Sequence, residues 1–381
     1  KPKRLPRKKQ ENKFGFVGME MRKKFDEIFE DCTKLGTKIK TDEYHSNGKH
    51  PIIDQGQEMV AGFTDLEDGL LDAVPAIVFG DHTRIIKYVD CPFFLGADGV
   101  KVLRSKVPNA NYRYLYYALK NAKIPNTGYN RHYKWLKELE IEYPPIDQQV
   151  KTVKVLDKVE SIIYNRQNQL QKLDELVKAR FVEMFGDPVT NPMDWPTKPL
   201  LEMGYCKNGM NFHTGDSGIE MHCLGVGDFK DYSVIDGTDY LPTISLNEAP
   251  PEESMLQDGD LVFVRSNGNK ALVGRCLLVY PHNTPTTYSG FCIRYRLTSA
   301  EVNIAYLLRV LKTDSMRKKM AGRGANIQNL NQQILAALNI PTPPLELQEW
   351  FTAFIEQIDK SKAVEGLLFV VVPIGIIYKP I

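Results

Sequence analysis

Hydrophobic positions along the chain form two long helical patterns and two short continuous apolar blocks. After Pro144-Pro145, apolar side chains recur at Leu156, Val159, Ile163, Leu170, Leu173, Val177 and Met184. The steps alternate three and four, and Arg166 and Arg180 fill the two skipped positions. A seam held over four heptads predicts a long helix with a narrow apolar stripe, which needs a helical partner. Gly186-Asp187-Pro188 stops it. Residues 146–184 would span about 58 Å at ~1.5 Å per residue. A second pattern follows Pro343-Pro344, with Leu347, Phe351, Phe354 and Ile358, and fails after Lys362.

The lead-ins to these two patterns match. Leu139-Glu-Ile141-Glu-Tyr-Pro-Pro-Ile146-Asp-Gln-Gln149 and Leu338-Asn-Ile340-Pro-Thr-Pro-Pro-Leu345-Glu-Leu-Gln348 lie 199 positions apart. Each has a strand-like start, a Pro-Pro break, an acidic residue, a Gln and then a helix. Upstream, the buried-strand pattern at 74–80 (VPAIVFG) precedes Asp81-His82-Thr83-Arg84. The similar block at 258–264 (DGDLVFV) precedes Arg265-Ser266-Asn267-Gly268. A Gly-bearing turn follows in each (Phe93 to Gly96, Ser289 to Cys292), then a helical stretch with Tyr and Leu (Tyr112–Leu119, Ala305–Val310). One duplicated α+β module, each copy ending in a helix, accounts for this order.

The expected layout is a basic leader over 1–20, a first module over 21–145 and a spacer helix over 146–185. A second module over 186–342, a shortened distal helix over 343–365 and an atypical apolar tail over 366–381 complete it. The two helices should pair as an antiparallel coiled coil, with the modules related by a pseudo-two-fold axis at opposite ends.

Composition changes this picture little. The chain has 381 residues, 43% hydrophobic and 25% charged, which suits two globular domains with connectors. Its net charge is only +2, so any contact with nucleic acid must come from local clusters of Lys and Arg. Residues 1–13 carry seven basic residues against one Glu, a disordered leader or a phosphate-binding arm. The closing LLFVVVPIGIIYKPI is too short to span a bilayer and is broken by Pro373 and Gly375, so no membrane partner is expected. Six cysteines occur without a CxxC pair or a nearby spaced His pair, so no metal site is expected, and the chain reads as reduced and cytoplasmic.

Motifs for catalysis are absent. The sequence has no GxxxxGK[ST] loop, GxGxxG after a strand, GxSxG elbow, HExxH pair or kinase signature. Tyr143-Pro-Pro-Ile146 resembles the Pro-Pro motif of amino-methyltransferases but lacks the Asn or Asp that would hold the amine. Asp258 and Asp260 with Lys270 could form a nuclease-like set, although Asp-Gly-Asp before a strand is more often a turn. What remains are polar, basic loops beside strands. His82, Thr83 and Arg84 form one, and Tyr129, Asn130, Arg131, His132 and Lys134 a second. In the other copy, Arg265, Ser266, Asn267 and Lys270 answer the first, and Arg323, Asn326, Gln328 and Asn329 the second. Arg, Asn, Gln and His suit base edges and phosphate oxygens, so double-stranded DNA is the expected ligand. The alternatives are a coiled-coil scaffold and an unrecognised nuclease or methyltransferase.

The pattern resembles the specificity subunit of type I restriction–modification systems. The match lies in Ala179-Arg-Phe-Val-Glu-Met-Phe-Gly-Asp-Pro188 with Trp195, and in Pro343-Pro-Leu-Glu-Leu-Gln348 with Phe351 and Ile355. Pro51 to Gly56, Val78 to Thr83 and Tyr129 to Lys134 resemble a first recognition domain. The resemblance implies that each module is a target-recognition domain reading half of a split DNA target. It implies that the paired helices set the gap and dock two modification subunits, with restriction (motor) subunits joining the complex. This chain would be non-catalytic and hold no cofactor, since S-adenosylmethionine, ATP and Mg would be bound by partner subunits. The family usually starts near Met19 or Met21 and has a distal helix as long as the central one, so a truncated, frameshifted or recombined distal helix is the expectation here.

Overall fold

The computed structural model describes residues 22–96, 99–213, 215–229, 233–321 and 329–370. The leader and residues 371–381 of the tail lie outside them. The chain divides into two compact units between Asn165 and Arg166, inside the long helix rather than at its ends. The physical reason is that each half of this helix is packed into the unit it adjoins.

The first unit contains α1 (Phe25–Ile28), α2 (Tyr112–Lys120), α3 (Tyr133–Lys137) and the first half of α4 (Ile146–Phe185). Its main sheet is antiparallel, in the order Phe29–Asp31, Val100–Ser105, Ala76–Gly80, Ile86–Val89. A smaller sheet runs Gly62–Thr64, His50–Ile53, Phe94–Leu95, the last pair parallel. Arg22–Lys24 pairs with Glu140–Glu142, which brings the two ends of the module together.

The second unit repeats this plan. It contains α5 (Ile304–Lys312), α6 (Asp314–Ala321), α7 (Gln332–Ala336), α8 (Leu345–Val370) and the second half of α4. Its main sheet runs Gly204–Asn208, Cys292–Leu297, Asp260–Val264, Cys276–Tyr280, with Val234–Asp236 added as a parallel edge. The smaller sheet runs Thr243–Leu246, Ile219–Leu224, Thr286–Tyr288, again with a parallel last pair. Thr197–Pro199 pairs with Asn339–Pro341 to close it. Ala76–Gly80 and Asp260–Val264 are buried at all five positions, which is why Ala76 to Phe79 and Leu261 to Val264 read as unbroken apolar runs.

The same hydrogen bonds fasten both modules to their helices. Tyr114 donates its hydroxyl to the Glu142 carbonyl at 2.9 Å, and Tyr306 donates to Pro341 at 3.0 Å. Gln149 and Gln348 fold back onto the carbonyls of Pro144 and Pro343 at 2.8 and 2.7 Å. Each Pro-Pro pair therefore ends the closing strand, and a buried amide locks the helix start behind it.

α4 is one helix of 40 residues, about 60 Å long at ~1.5 Å per residue. Every seam position from Leu156 to Met184 is buried or half-buried. In the first unit α4 meets α2 through charge: Arg113 Nη2 lies 2.6 Å from Asp157 and 3.1 Å from Glu160, and Lys120 lies 2.8 Å from Glu160. In the second unit it meets α5 and α8 through rings. Phe181 and Phe185 pack on Phe351 at 5.6 and 5.4 Å and on Tyr306 at 6.0 and 4.8 Å. Further along α8, Lys362 reaches back to Asp174, earlier on α4, at 2.5 Å. α8 therefore runs antiparallel to the second half of α4.

The distal helix differs from expectation at both ends. It starts at Leu345, after the prolines, and continues past residue 365 to Val370. Leu367 to Val370 contain no helix breaker, and the first proline downstream is Pro373. At 26 residues against 40 it is still the shorter of the two within the described residues.

Candidate nucleic-acid interface

In the first unit the buried strand Ala76–Gly80 runs into a turn at Asp81 to Arg84. Two of the expected contact residues hold this turn in place. Thr83 Oγ1 donates to the Gln55 carbonyl at 2.7 Å. Arg84 adopts a left-handed φ of 63° and donates Nη1 to the Ile124 carbonyl at 3.2 Å. Beneath the turn, Lys87 is almost fully buried, with Nζ 2.6 Å from the Glu58 carbonyl and 3.4 Å from Asp54 Oδ1. Burial pulls its ammonium below the ordinary lysine value, and Asp54 opposes that pull.

His132 is a correction to the expected contact set. It is completely buried rather than presented to solvent. Its backbone N–H and its Nδ1 both meet the Asp81 carbonyl, at 2.8 and 2.9 Å. The Thr127 N–H points at Nε2 at 3.4 Å, so Nε2 accepts and Nδ1 carries the hydrogen. Asp81 Oδ1 also accepts the Tyr133 N–H at 2.7 Å. His132 thus pins both ends of the loop 127–132 to the 81–84 turn. The loop itself presents Tyr129, Asn130 and Arg131 to solvent, with exposed Lys134 beyond. Tyr129 is 88% exposed and stacks on His82 with ring centroids 4.8 Å apart and 10° between planes.

The second unit builds its counterpart at the same place. The Leu330 N–H donates to the Arg265 carbonyl at 2.7 Å, as His132 does to Asp81. Buried Leu330 therefore stands where the first unit has His132, which explains why that histidine is a structural residue. Ser266 bridges to Asn329, bringing the two expected loops together. Arg265, Ser266 and Asn267 are half-buried, and Asn329 and Lys270 are exposed. Asn267 Oδ1 accepts the Asn269 N–H at 2.8 Å, and Asn269 Oδ1 caps the turn that starts at Lys270. Arg323, Asn326 and Gln328 lie outside the described residues. Sequence reasoning missed Phe291, which is 62% exposed beside Arg265 and whose carbonyl accepts the Arg265 N–H at 2.8 Å. It also missed Gln332, which reaches Asn208 Oδ1 at 3.4 Å next to Asn329. A ring straight after a Gly in a turn was the available signal for Phe291.

The carboxylates that suggested a nuclease have other uses. Asp260 is buried and holds Arg296 through both oxygens, at 2.8 and 2.7 Å, with buried Arg294 3.7 Å away. Asp258 faces the other way and meets His282 at 3.4 Å. Among the described residues no group of His, Cys, Asp and Glu is placed to hold a metal. Nor is any described helix long and apolar enough to cross a membrane.

The sequence matches the family described as the type I restriction modification DNA specificity domain over residues 18–175 and 249–366. It is 28% identical over 157 residues to the StySPI specificity subunit of Salmonella potsdam, covering 40% of this chain and 33% of that one. It is 31% identical over 94 residues to the EcoR124I/EcoR124II specificity subunit of Escherichia coli, covering 24% and 23%. The aligned stretches thus span a third or less of these relatives' own lengths. The fold is similar to the crystal structure of a type I restriction–modification S subunit from M. genitalium, with a TM-score of 0.51 and 16% identity over 91% of this chain and 93% of that one. A match reaching both copies of the duplicated module, together with that fold, means that the chain belongs to the type I restriction–modification DNA specificity family.

Proposed function

We propose that this chain reads DNA sequence for a type I restriction–modification complex, each unit reading one half of a split target. One observation carries the reading. In both copies the residue after the central buried strand accepts a backbone hydrogen bond from the loop before a short helix. Polar and basic side chains gather around that joint each time. Such loops can lay Arg, Asn and Lys against phosphates and base edges. Affinity then comes largely from phosphate contacts and falls steeply with salt.

The helices set the gap between half-sites and dock two modification subunits, and restriction subunits join through the complex. The chain itself is non-catalytic. S-adenosylmethionine, ATP and Mg belong to the partner subunits, and the setting is the cytoplasm. The buried ion pairs of Asp260 support this reading over a nuclease, because a carboxylate held by two guanidiniums is not available to a substrate.

The test is to express the chain with its partner subunits in a host free of other methylation and to map methylated bases. A two-part motif with a fixed gap is expected. A continuous motif, or methylation by this chain alone, overturns the proposal.

A further inference from the structure

Each unit carries one strongly exposed ring beside its candidate reading loops, and the two rings stand at different places in the repeat. Tyr129 occupies the loop before α3, where the matching segment of the second copy, GRGANIQNLN over 322–331, contains no aromatic residue. Phe291 offers its carbonyl to the Arg265 N–H at 2.8 Å. In the first unit the same position is Gly99, whose carbonyl accepts the Asp81 N–H at 2.7 Å. The modules thus share a fold and a joint but not the loop from which a ring projects.

The backbone under both rings is tied to neighbouring segments. Tyr129 lies flat on His82, whose Nδ1 is buried without a hydrogen-bond partner among the described residues. The loop beneath it is pinned by buried His132. The Phe291 carbonyl also accepts from Ser266 at 3.3 Å, and Gly290 before it donates to the Met210 carbonyl at 2.6 Å. These bonds fix the backbone from which each ring projects, and each ring has cations close by in sequence or across the joint: Arg131 and Lys134, or Arg265.

We propose that Tyr129 and Phe291 are the base-stacking residues of the two reading surfaces, each inserting against the face of a base at a step that opens on binding. The inference rests on the DNA-reading function above. A fixed exposed ring flanked by cations suits a base face, because charge draws in the backbone while the ring replaces a lost stacking neighbour. Such a wedge discriminates by how readily a step unstacks, so the positions it sets should be flexible pyrimidine–purine steps. Because the rings come from different loops, these positions should sit differently within the two half-sites.

The experiment maps methylated bases for the intact complex with Tyr129→Ala, Phe291→Ala, or the ring-keeping pair Tyr129→Phe and Phe291→Tyr. Expected is a relaxed preference at one position in one half-motif for Tyr129→Ala, and in the other half for Phe291→Ala. Sites with the preferred base should lose about ten-fold in methylation rate. The ring-keeping variants should leave the motif unchanged. Both alanine variants keeping the wild-type motif and rate would overturn the inference, as would an equal loss at every site whatever its half-site sequence. A wild-type complex that yields no split motif would instead sink the DNA-reading function. Thermal melting of the two alanine variants should match wild type, since both side chains project into solvent.

Discussion

Gln149 and Gln348 occupy the same place in the two copies, yet only one has its amide fully used. Gln348 donates Nε2 to Pro343 and Glu301 at 2.7 and 3.1 Å and accepts the Asn303 N–H on Oε1 at 2.8 Å. Gln149 donates to Pro144 at 2.8 Å, but its Oε1 is buried without a partner among the described residues. Replacing a fully bonded buried amide leaves several partners unsatisfied, whereas replacing a half-bonded one leaves fewer. Gln348→Leu should therefore destabilise the second unit by about 2–4 kcal/mol, and Gln149→Leu the first by at most about 1 kcal/mol. Hydrogen exchange at Asn303 and along α5, compared with α2, measures the two effects separately. Equal losses would show that the unpartnered oxygen makes no difference.

The second prediction concerns Asp260. Its two oxygens hold Arg296, and fully buried Arg294 lies 3.7 Å away. Asp260→Asn leaves a buried guanidinium without its counter-charge, which costs about 3–5 kcal/mol. Denaturant unfolding should show this loss. Complexes that remain folded should keep their methylation motif, since Asp260 is buried in ion pairs rather than presented to DNA. A folded Asp260→Asn complex that binds DNA normally yet fails to act would restore the catalytic reading.

These two cases show what could be read in advance and what could not. The repeat was legible because it rests on local signals: the Pro-Pro lead-ins, the two unbroken apolar strands, and the seam from Leu156 to Met184. Asp260 was ambiguous because its partners lie on a neighbouring strand that the sequence does not place beside it. His132 read as a surface residue because it sits in a polar run, and only the Asp81 carbonyl, 51 positions away, buries it. Phe291 was placed only within a Gly-bearing turn, because its position beside Arg265 depends on backbone bonds between segments far apart in sequence. The division of the chain inside α4 was hidden for the same reason. A heptad pattern shows that a stripe is covered but not that different modules cover its two ends.

The third prediction concerns pH. Glu160 anchors the first unit to α4 by accepting from Lys120 at 2.8 Å and from the Tyr117 and Tyr116 hydroxyls at 2.9 and 3.2 Å. Burial pushes its carboxyl up, but the Lys120 ammonium and the two hydroxyls outweigh this and hold it below the ordinary 4.5. A lowered folded value means a stabilisation present above pH 4.5 and lost as the pH falls through the folded value. The near-ultraviolet circular dichroism of Tyr116 and Tyr117 should therefore change on acidification below 4.5 in the wild type. Glu160→Gln should lose much of that change.

The last prediction separates two neighbours in one loop. Arg131 is exposed and His132 is completely buried. If Arg131 meets a phosphate, Arg131→Ala weakens binding to every duplex alike and lowers the slope of log affinity against log salt by about one. Stability should stay within about 0.5 kcal/mol of wild type, as for other exposed positions. His132→Ala does the reverse. It leaves the Asp81 carbonyl with only the backbone N–H of residue 132 and strips the Thr127 N–H of its acceptor, so the loop loosens at a cost of about 1–3 kcal/mol. The salt slope is kept because no charge facing DNA has gone, while discrimination by the Tyr129 loop declines. Titrating the assembled complex with its mapped duplex and an unrelated duplex across a salt series resolves both quantities. A His132→Ala complex with a reduced slope and wild-type stability would place that histidine on the DNA after all.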